Sequence, residues 1–124
     1  EVSLMIPERS DTWLTHWGTM SYISELLSAG VNVYLFEKGF NHSKVLSIDG
    51  EFCIIGSANM DNRSFEHHFE VTSVIYDKET AQIVESRFNE DLKRCKKVTA
   101  KEWNHRPRKN RIYESVARIV APML

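Results

Sequence analysis

Residues 42–59 have the sequence HSKVLSIDGEFCIIGSAN. Ser43–Ile48 and Glu51–Gly56 are rich in apolar and β-branched residues, a composition typical of strands. Asp49-Gly50 separates them, and an Asp-Gly pair between two such runs is a strong signal for a tight turn. The sequence therefore predicts a β-hairpin whose second strand runs back along the first.

The predicted hairpin gathers polar side chains at one end. His42 and Lys44 are two residues apart, as are Ser57 and Asn59, so each pair can share a face. An imidazole can attack phosphorus or move a proton near neutral pH, and a lysine ammonium offsets negative charge. A hydroxyl and an amide donate hydrogen bonds to phosphate oxygens, and Gly56 lets the backbone approach a ligand closely. This residue set indicates a phosphodiester site.

The spacing H-x-K-x4-D-x6-G-S-x-N resembles the HKD signature of the phospholipase D superfamily at every specified position. The resemblance implies a catalytic set of His42, Lys44 and Asp49, in which the aspartate is mainly structural. His42 is either the nucleophile or the general acid and base, and the second role is usual for a C-terminal motif. The further implied residues are Lys44, Ser57 and Asn59 as phosphate-binding groups and Glu70 as the carboxylate that orients His42.

A closer resemblance, to bacterial cardiolipin synthases, covers nearly the whole chain. The segments that carry it include residues 25–31 (ELLSAGV), 59–65 (NMDNRSF) and 69–71 (FEV), and Arg106-Pro107 with residues 114–118 (ESVAR). Three features depart from that family: a second HKD motif and membrane segments are absent, and His68 stands where asparagine is usual. Because the chain begins at Glu1, we interpret it as the C-terminal catalytic half of a longer protein.

Outside the hairpin, the pattern predicts alternating strands and helices. A polar loop or short helical turn is expected at Asn59–Phe65. The other predicted elements are strands at Val2–Ile6, Val31–Glu37 and His68–Tyr76, and helices from Ser10 or Asp11 to about Ser28, from Lys78 to about Arg94 and from about Arg108 to Ala121. Strands wrapped by helices indicate an α/β fold with a mixed β-sheet. We expect a single phospholipase D-like domain over residues 1–124.

The charge is distributed unevenly along the chain. Residues 1–92 contain 6 Lys and Arg against 15 Asp and Glu, whereas residues 93–124 contain 10 against 2. In the basic tail, Ile112, Val116, Ile119 and Val120 recur at helical spacing. Such a helix can lie on an anionic membrane surface, or it can pack its apolar stripe on its own domain.

Histidines and cysteines outside the motif indicate no further chemistry. The five histidines and two cysteines lack zinc-ligand spacing, so we predict no metal site, and no cofactor is expected. Cys53, in an apolar run, and Cys95, near a predicted helix end, are interpreted as thiols. His67 and His68, which face opposite sides of the predicted strand, are interpreted as structural.

By the resemblance, the full-length enzyme is a phosphatidyltransferase that joins two phosphatidylglycerol molecules into cardiolipin through a phosphohistidine intermediate. One motif supplies one of two required histidines, so the expected partner is the missing N-terminal half or a second copy, at the cytoplasmic side of a bacterial membrane. Two alternatives stay open. One is a dimeric phosphodiesterase, nuclease or phospholipase D, although nucleic acid is the less favoured partner. The other is a non-catalytic module that binds anionic lipid.

Overall fold

The computed structural model describes residues 1–37, 39, 41–61 and 63–120. Lys38, Phe40, Asn62 and Ala121, which fall in predicted loops or at the end of the last predicted helix, lie outside the described residues. The elements are β1 (Ser3–Pro7), α1 (Trp13–Ser28), β2 (Asn32–Phe36), β3 (Val45–Ile48), β4 (Phe52–Gly56), a π-helical turn (Arg63–His67), β5 (Thr72–Ile75), α2 (Lys78–Leu92), β6 (Cys95–Lys97), α3 (Ala100–Asn104) and α4 (Arg108–Val120).

The predicted α/β class is confirmed, but the described strands form two three-stranded sheets, β1-β2-β6 and β3-β4-β5. The first is mixed, because β1 runs parallel and β6 antiparallel to β2, and the second is antiparallel. Each sheet belongs to one of two compact units, Glu1–Asn41 with Arg94–Leu124, and His42–Lys93. The expectation that residues 1–124 form one domain stays a prediction.

The first unit has its core between α1 and its sheet, where Met20, Ile23, Val33, Leu35 and Val98 are buried. Helix α1 supplies Met20 and Ile23. Burying one such side chain contributes about 1.5–3 kcal/mol, so this cluster is the main source of stability in the unit.

The ends of α1 follow its capping chemistry. Thr12, rather than the predicted Ser10 or Asp11, is the N-cap, because its side-chain oxygen accepts a hydrogen bond from the Thr15 N–H (3.2 Å). The helix ends at Ser28, as predicted, and Ala29 is its C-cap. Gly30 has φ +82°, and the Val31 N–H then reaches back to the Leu26 carbonyl (3.0 Å), as in the Schellman arrangement that favours glycine.

In the second unit, α2 packs on the hairpin sheet. Cys53 in β4 and Ala81 in α2 are fully buried, and Asp77 caps the helix by accepting a hydrogen bond from the Thr80 N–H (2.8 Å). Cys53 is buried, whereas Cys95 is half-buried.

The chain near the C-terminus differs from the prediction in two places. Cys95 begins β6 instead of ending a helix, and α3 was not predicted. The open edge of β2 explains the strand, since Tyr34, Leu35 and Phe36 pair with Lys97, Lys96 and Cys95. The Lys97 ammonium also lies over the Tyr34 ring, 5.5 Å from its centroid.

A nearly buried ion pair joins the middle of α4 to the segment before the helix. Arg106 donates from Nε to Glu114 Oε1 (2.8 Å) and makes a second bond to Oε2. The exposed fractions of the two side chains are 14% and 7%. Because a buried pair is costly to break from one side, this contact fixes the rotation of α4 about its axis and turns its only carboxylate inward.

Candidate active site

The β3–β4 hairpin is the frame of the site. Its register runs from Val45 opposite Ile55 to Ile48 opposite Phe52. Asp49 and Gly50 have φ values of 51° and 63°, the positive values that the central residues of a type I′ turn require. The predicted hairpin and its turn are confirmed, although the second strand begins one residue later than predicted.

Asp49 lies at the opposite end of β3 from Lys44. Five residue steps separate them, or about 16 Å in an extended strand. Aspartate is among the few residues other than glycine that tolerate the left-handed conformation. The structure thus places Asp49 in the turn and does not bring it together with the other predicted site residues, in keeping with a structural role.

His42 and Lys44 lie just before β3. The Lys44 carbonyl accepts a hydrogen bond from the Gly56 N–H (3.2 Å), which extends the hairpin pairing by one residue. The Lys44 ammonium turns back and donates to the His42 carbonyl oxygen (3.0 Å). The two residues were expected to share one face of a strand. They are linked instead through this bond from the side chain to the backbone, and His42 is exposed.

Gly56 is tightly enclosed by β5. A Cβ atom built on Gly56 would lie 2.6 Å from the Val71 carbonyl oxygen and 2.8 Å from the Thr72 Cα. The sequence interpretation assigned the open space beside this glycine to a ligand. The described structure fills it with the backbone of the neighbouring strand, so Gly56 allows β4 and β5 to approach each other.

Ser57 joins the hairpin to the segment before β5. Its N–H donates to the Val71 carbonyl (2.9 Å), and its hydroxyl accepts from the Val71 N–H (3.0 Å) and donates to Glu70 Oε2 in a short hydrogen bond. A serine hydroxyl has one proton. In this arrangement that proton is directed at Glu70. Ser57 can donate to a phosphate oxygen only when its hydrogen bond to Glu70 is broken.

The Ser57 hydroxyl also explains why β5 is shorter than predicted. The Val71 N–H bonds to this side chain where a longer ladder would offer a backbone carbonyl, and the strand begins at Thr72. The expected strand over His68–Tyr76 is therefore wrong in its first half. His67 ends the π-helical turn and His68 follows it, so the predicted opposite-face arrangement of these two histidines is wrong as well.

Asn59 is positioned through Ser64. The Asn59 N–H donates to the Ser64 hydroxyl (3.0 Å), and the Ser64 N–H donates to Asp61 Oδ1 (2.8 Å). Ser64 is buried, with 7% of its surface exposed. The loop that carries the predicted phosphate-binding asparagine is thus fixed by a hydroxyl and a carboxylate.

Glu70 interacts with several polar and charged residues of this loop. The hydrogen bond from Ser57 lowers the pKa of Glu70 below its usual value. A hydrogen bond from Ser64 and the electrostatic interaction with His68 also lower the pKa of Glu70, whereas partial burial and the nearby Asp61 raise it. Glu70 is therefore an ionised acceptor at neutral pH. Its described contacts are with serines, and its predicted role beside the His42 ring stays a prediction.

Sequence reasoning assigned no role to Ser64 and a purely structural one to His68. An Asp three residues before a Ser is a recognisable capping pattern, so Asp61 and Ser64 carried a usable signal. The electrostatic effect of His68 on Glu70 carried none, because it depends on how the chain turns after residue 67.

The segments that flank the hairpin carry an imidazole, an ammonium and an amide, which are side-chain types that can act on a phosphodiester. The chain belongs to the family described as cardiolipin synthase, PLD-like domain, whose model matches residues 1–92. No solved structure matches the chain.

Named relatives cover the whole chain. It is 44% identical over 124 residues to cardiolipin synthase 1 of Staphylococcus epidermidis and 44% identical to the major cardiolipin synthase ClsA of Bacillus subtilis. It is 41% identical to a cardiolipin synthase of Clostridium perfringens. In each case the match covers 100% of this chain and 25% or 26% of the relative. The chain therefore spans about a quarter of the length of these relatives.

Proposed function

We propose that this chain supplies one half of a phosphatidyltransferase site that makes cardiolipin from two phosphatidylglycerol molecules. A histidine attacks the phosphorus of the first lipid, a phosphorus–nitrogen bond forms, and the bond to the terminal glycerol breaks. A proton from the partner histidine leaves with the glycerol. The hydroxyl of the second lipid then gives its proton back and attacks phosphorus, which releases the first histidine and completes cardiolipin.

His42 is proposed as the general acid and base of this cycle, with the attacking histidine on the other half of the site. Lys44 and Asn59 neutralise and hold the non-bridging phosphate oxygens, and Ser57 with Glu70 supports them. The observation that carries the proposal is the hairpin register. The Gly56 N–H bonds to the Lys44 carbonyl (3.2 Å), so Ser57 and Asn59 follow the hairpin at the same end at which His42 precedes it. The family match supports the lipid substrate.

The other half of the site comes from a second HKD-bearing segment or a second copy of this chain. We place the working protein at a bacterial membrane, on its cytoplasmic side, where the substrate is a phosphatidylglycerol or another anionic phospholipid. Among the described residues, every helix is too short or too polar to cross a bilayer.

A graft tests this function directly. The chain replaces the matching 124 residues of the Bacillus subtilis relative, and cardiolipin formation from phosphatidylglycerol is measured. We expect the graft to be active and its His42→Ala variant to lose about 10²–10⁴-fold in rate, the usual contribution of a positioned acid or base. The matched control is His105→Ala, an exposed histidine at the end of α3, which should keep full activity.

Two results would overturn the proposal: an inactive wild-type graft, or equal rates for the two histidine variants. Nucleic-acid cleavage by the graft without phosphatidyl transfer would replace it with the phosphodiesterase alternative.

The 124-residue chain alone gives a further prediction. Monomers separated by size should show no lipid turnover, because one histidine cannot be both nucleophile and acid, and turnover by strict monomers would contradict the half-site.

A further inference from the structure

Helix α4 presents two different faces. One packs on α1: Glu114 and Ala117 are buried, and the Tyr113 ring lies 5.3 Å from that of Trp17. The other carries Ile112 and Ile119, whose exposed fractions are 62% and 78%. The face that packs on the domain is therefore not the face that carries the apolar stripe. Of the two options left open by the sequence, packing of the stripe on its own domain is the one that the structure does not show.

The exposed stripe is continuous along the helix. Ile112, Val116 and Ile119 are spaced i, i+4 and i+7, which places them in one row, and Val116 is 49% exposed. At 100° per residue the centre of this row lies about 130° around the helix from Ala117. Because α4 is already held by its inner face and the Arg106–Glu114 pair, the stripe is not needed to keep the helix on its domain. Contiguous exposed apolar residues of this kind mark an interaction surface.

Positive charge surrounds the stripe. On the helical projection, Lys109 falls on one side of the row and Arg111 on the other, with Arg108 at its beginning, and all three are exposed. Within Arg108–Val120, which the structure describes throughout, the only acidic residue is Glu114, and it is turned inward against Arg106. The outer face therefore combines aliphatic side chains with uncompensated cations.

We propose that the outer face of α4 lies flat on an anionic lipid bilayer, with the isoleucines among the acyl chains and the basic residues at the phosphates. A 13-residue helix is about 20 Å long, which suits the interface plane. An apolar row flanked by Lys and Arg is the pattern of interfacial helices. Nucleic acid fits less well, because the row would have to face phosphates. This inference rests on α4 alone and does not depend on the proposed transfer chemistry.

Vesicle sedimentation tests the surface. The 124-residue chain is mixed with phosphatidylcholine vesicles that contain or lack phosphatidylglycerol. We expect binding to the anionic vesicles, weakened by added salt. The double variant Ile112→Ser with Ile119→Ser should weaken it at least about tenfold, from lost apolar burial. The double variant Lys109→Gln with Arg111→Gln should weaken it by about 25-fold, from about 1 kcal/mol per basic residue.

The matched control is Ile83→Ser, which makes the same change at an exposed isoleucine (58%) on α2 and should leave vesicle binding unchanged. Circular dichroism must show that each variant keeps the wild-type helix content. The proposal is overturned by a wild-type chain that ignores anionic vesicles or by isoleucine variants that bind as well as wild type. It is also overturned if the chain self-associates through the stripe, so that the isoleucine variants lose a dimer while vesicle binding persists.

Discussion

Two neighbouring segments carry the candidate active site, and they are held in place differently. In residues 42–56 the fixed contacts are mostly backbone ones: the β3–β4 ladder and the bond between Gly56 and Lys44. In residues 57–71 side chains make most of the contacts that position the loop, namely those of Ser57, Asp61 and Ser64, beside the backbone bond from Ser57 to Val71.

This difference predicts which substitutions change the chemistry of the site and which change its structure. A ladder keeps its geometry when side chains change, so His42 and Lys44 can be replaced with little effect on the fold, and a lost activity can be assigned to the lost group. A loop held by hydroxyls and carboxylates shifts when one of them is removed. Three further predictions test the contrast.

The largest stability effect is expected at Gly56, at the end of the hairpin. Gly56→Ala places a methyl group 2.6 Å from the Val71 carbonyl oxygen and should lower the free energy of unfolding by about 3 kcal/mol, as overpacking does. Urea denaturation measures this. Gly18→Ala is the control, because no heavy atom outside the local helix backbone lies within 4 Å of its added Cβ. It should stabilise α1 by about 0.5–1 kcal/mol. Equal effects at the two glycines would contradict the enclosed contact at Gly56.

A smaller effect is expected in the loop. Ser64→Ala leaves the Asn59 N–H without its partner and should cost about 1–2 kcal/mol, with a clear change in the Asn59 amide resonance. Ser115→Ala removes a hydroxyl that bonds to the exposed Arg111 carbonyl (2.8 Å) and should change stability by less than about 0.5 kcal/mol. An unshifted Asn59 resonance in the Ser64 variant would mean that another contact positions this loop.

The smallest effect concerns pH. Since the folded pKa of Glu70 lies below its ordinary value, its contribution to stability is complete above the ordinary pKa and is lost as the pH falls through the depressed one. Asp77 and Glu102, whose pKa values are lowered by hydrogen bonds from Thr80 and Thr99, act in the same direction. Glu70→Gln should flatten part of the acid limb of a stability–pH curve, and an unchanged curve would rule out the contact with Ser57.

The part of the site governed by local rules was predictable. The Asp-Gly turn sets the hairpin through positive φ values that few residue pairs tolerate, so the meeting of the segments around Lys44 and Gly56 followed from the sequence. The end of α1 before Gly30 depends on the same conformation, whereas α2 begins after Asp77 because an aspartate side chain caps a helix start.

What failed depended on partners distant in sequence. β6 exists because β2 offers an open edge, a fact absent from the Cys95-Lys96-Lys97 segment itself. β5 was predicted too long because the Ser57 side chain replaces a ladder carbonyl at Val71. The outward direction of the α4 stripe depends on the Arg106–Glu114 pair, which helical periodicity cannot choose.

The central claim is that residues around His42, Lys44 and Asn59 form one anion site, and a phosphate titration of the 124-residue chain followed by NMR tests it most directly. Inorganic phosphate should shift the His42 ring and the Lys44 and Asn59 amide resonances together, with one saturation curve that Lys44→Ala weakens. Shifts confined to the basic residues of α4, or separate curves for His42 and Asn59, would contradict a common site.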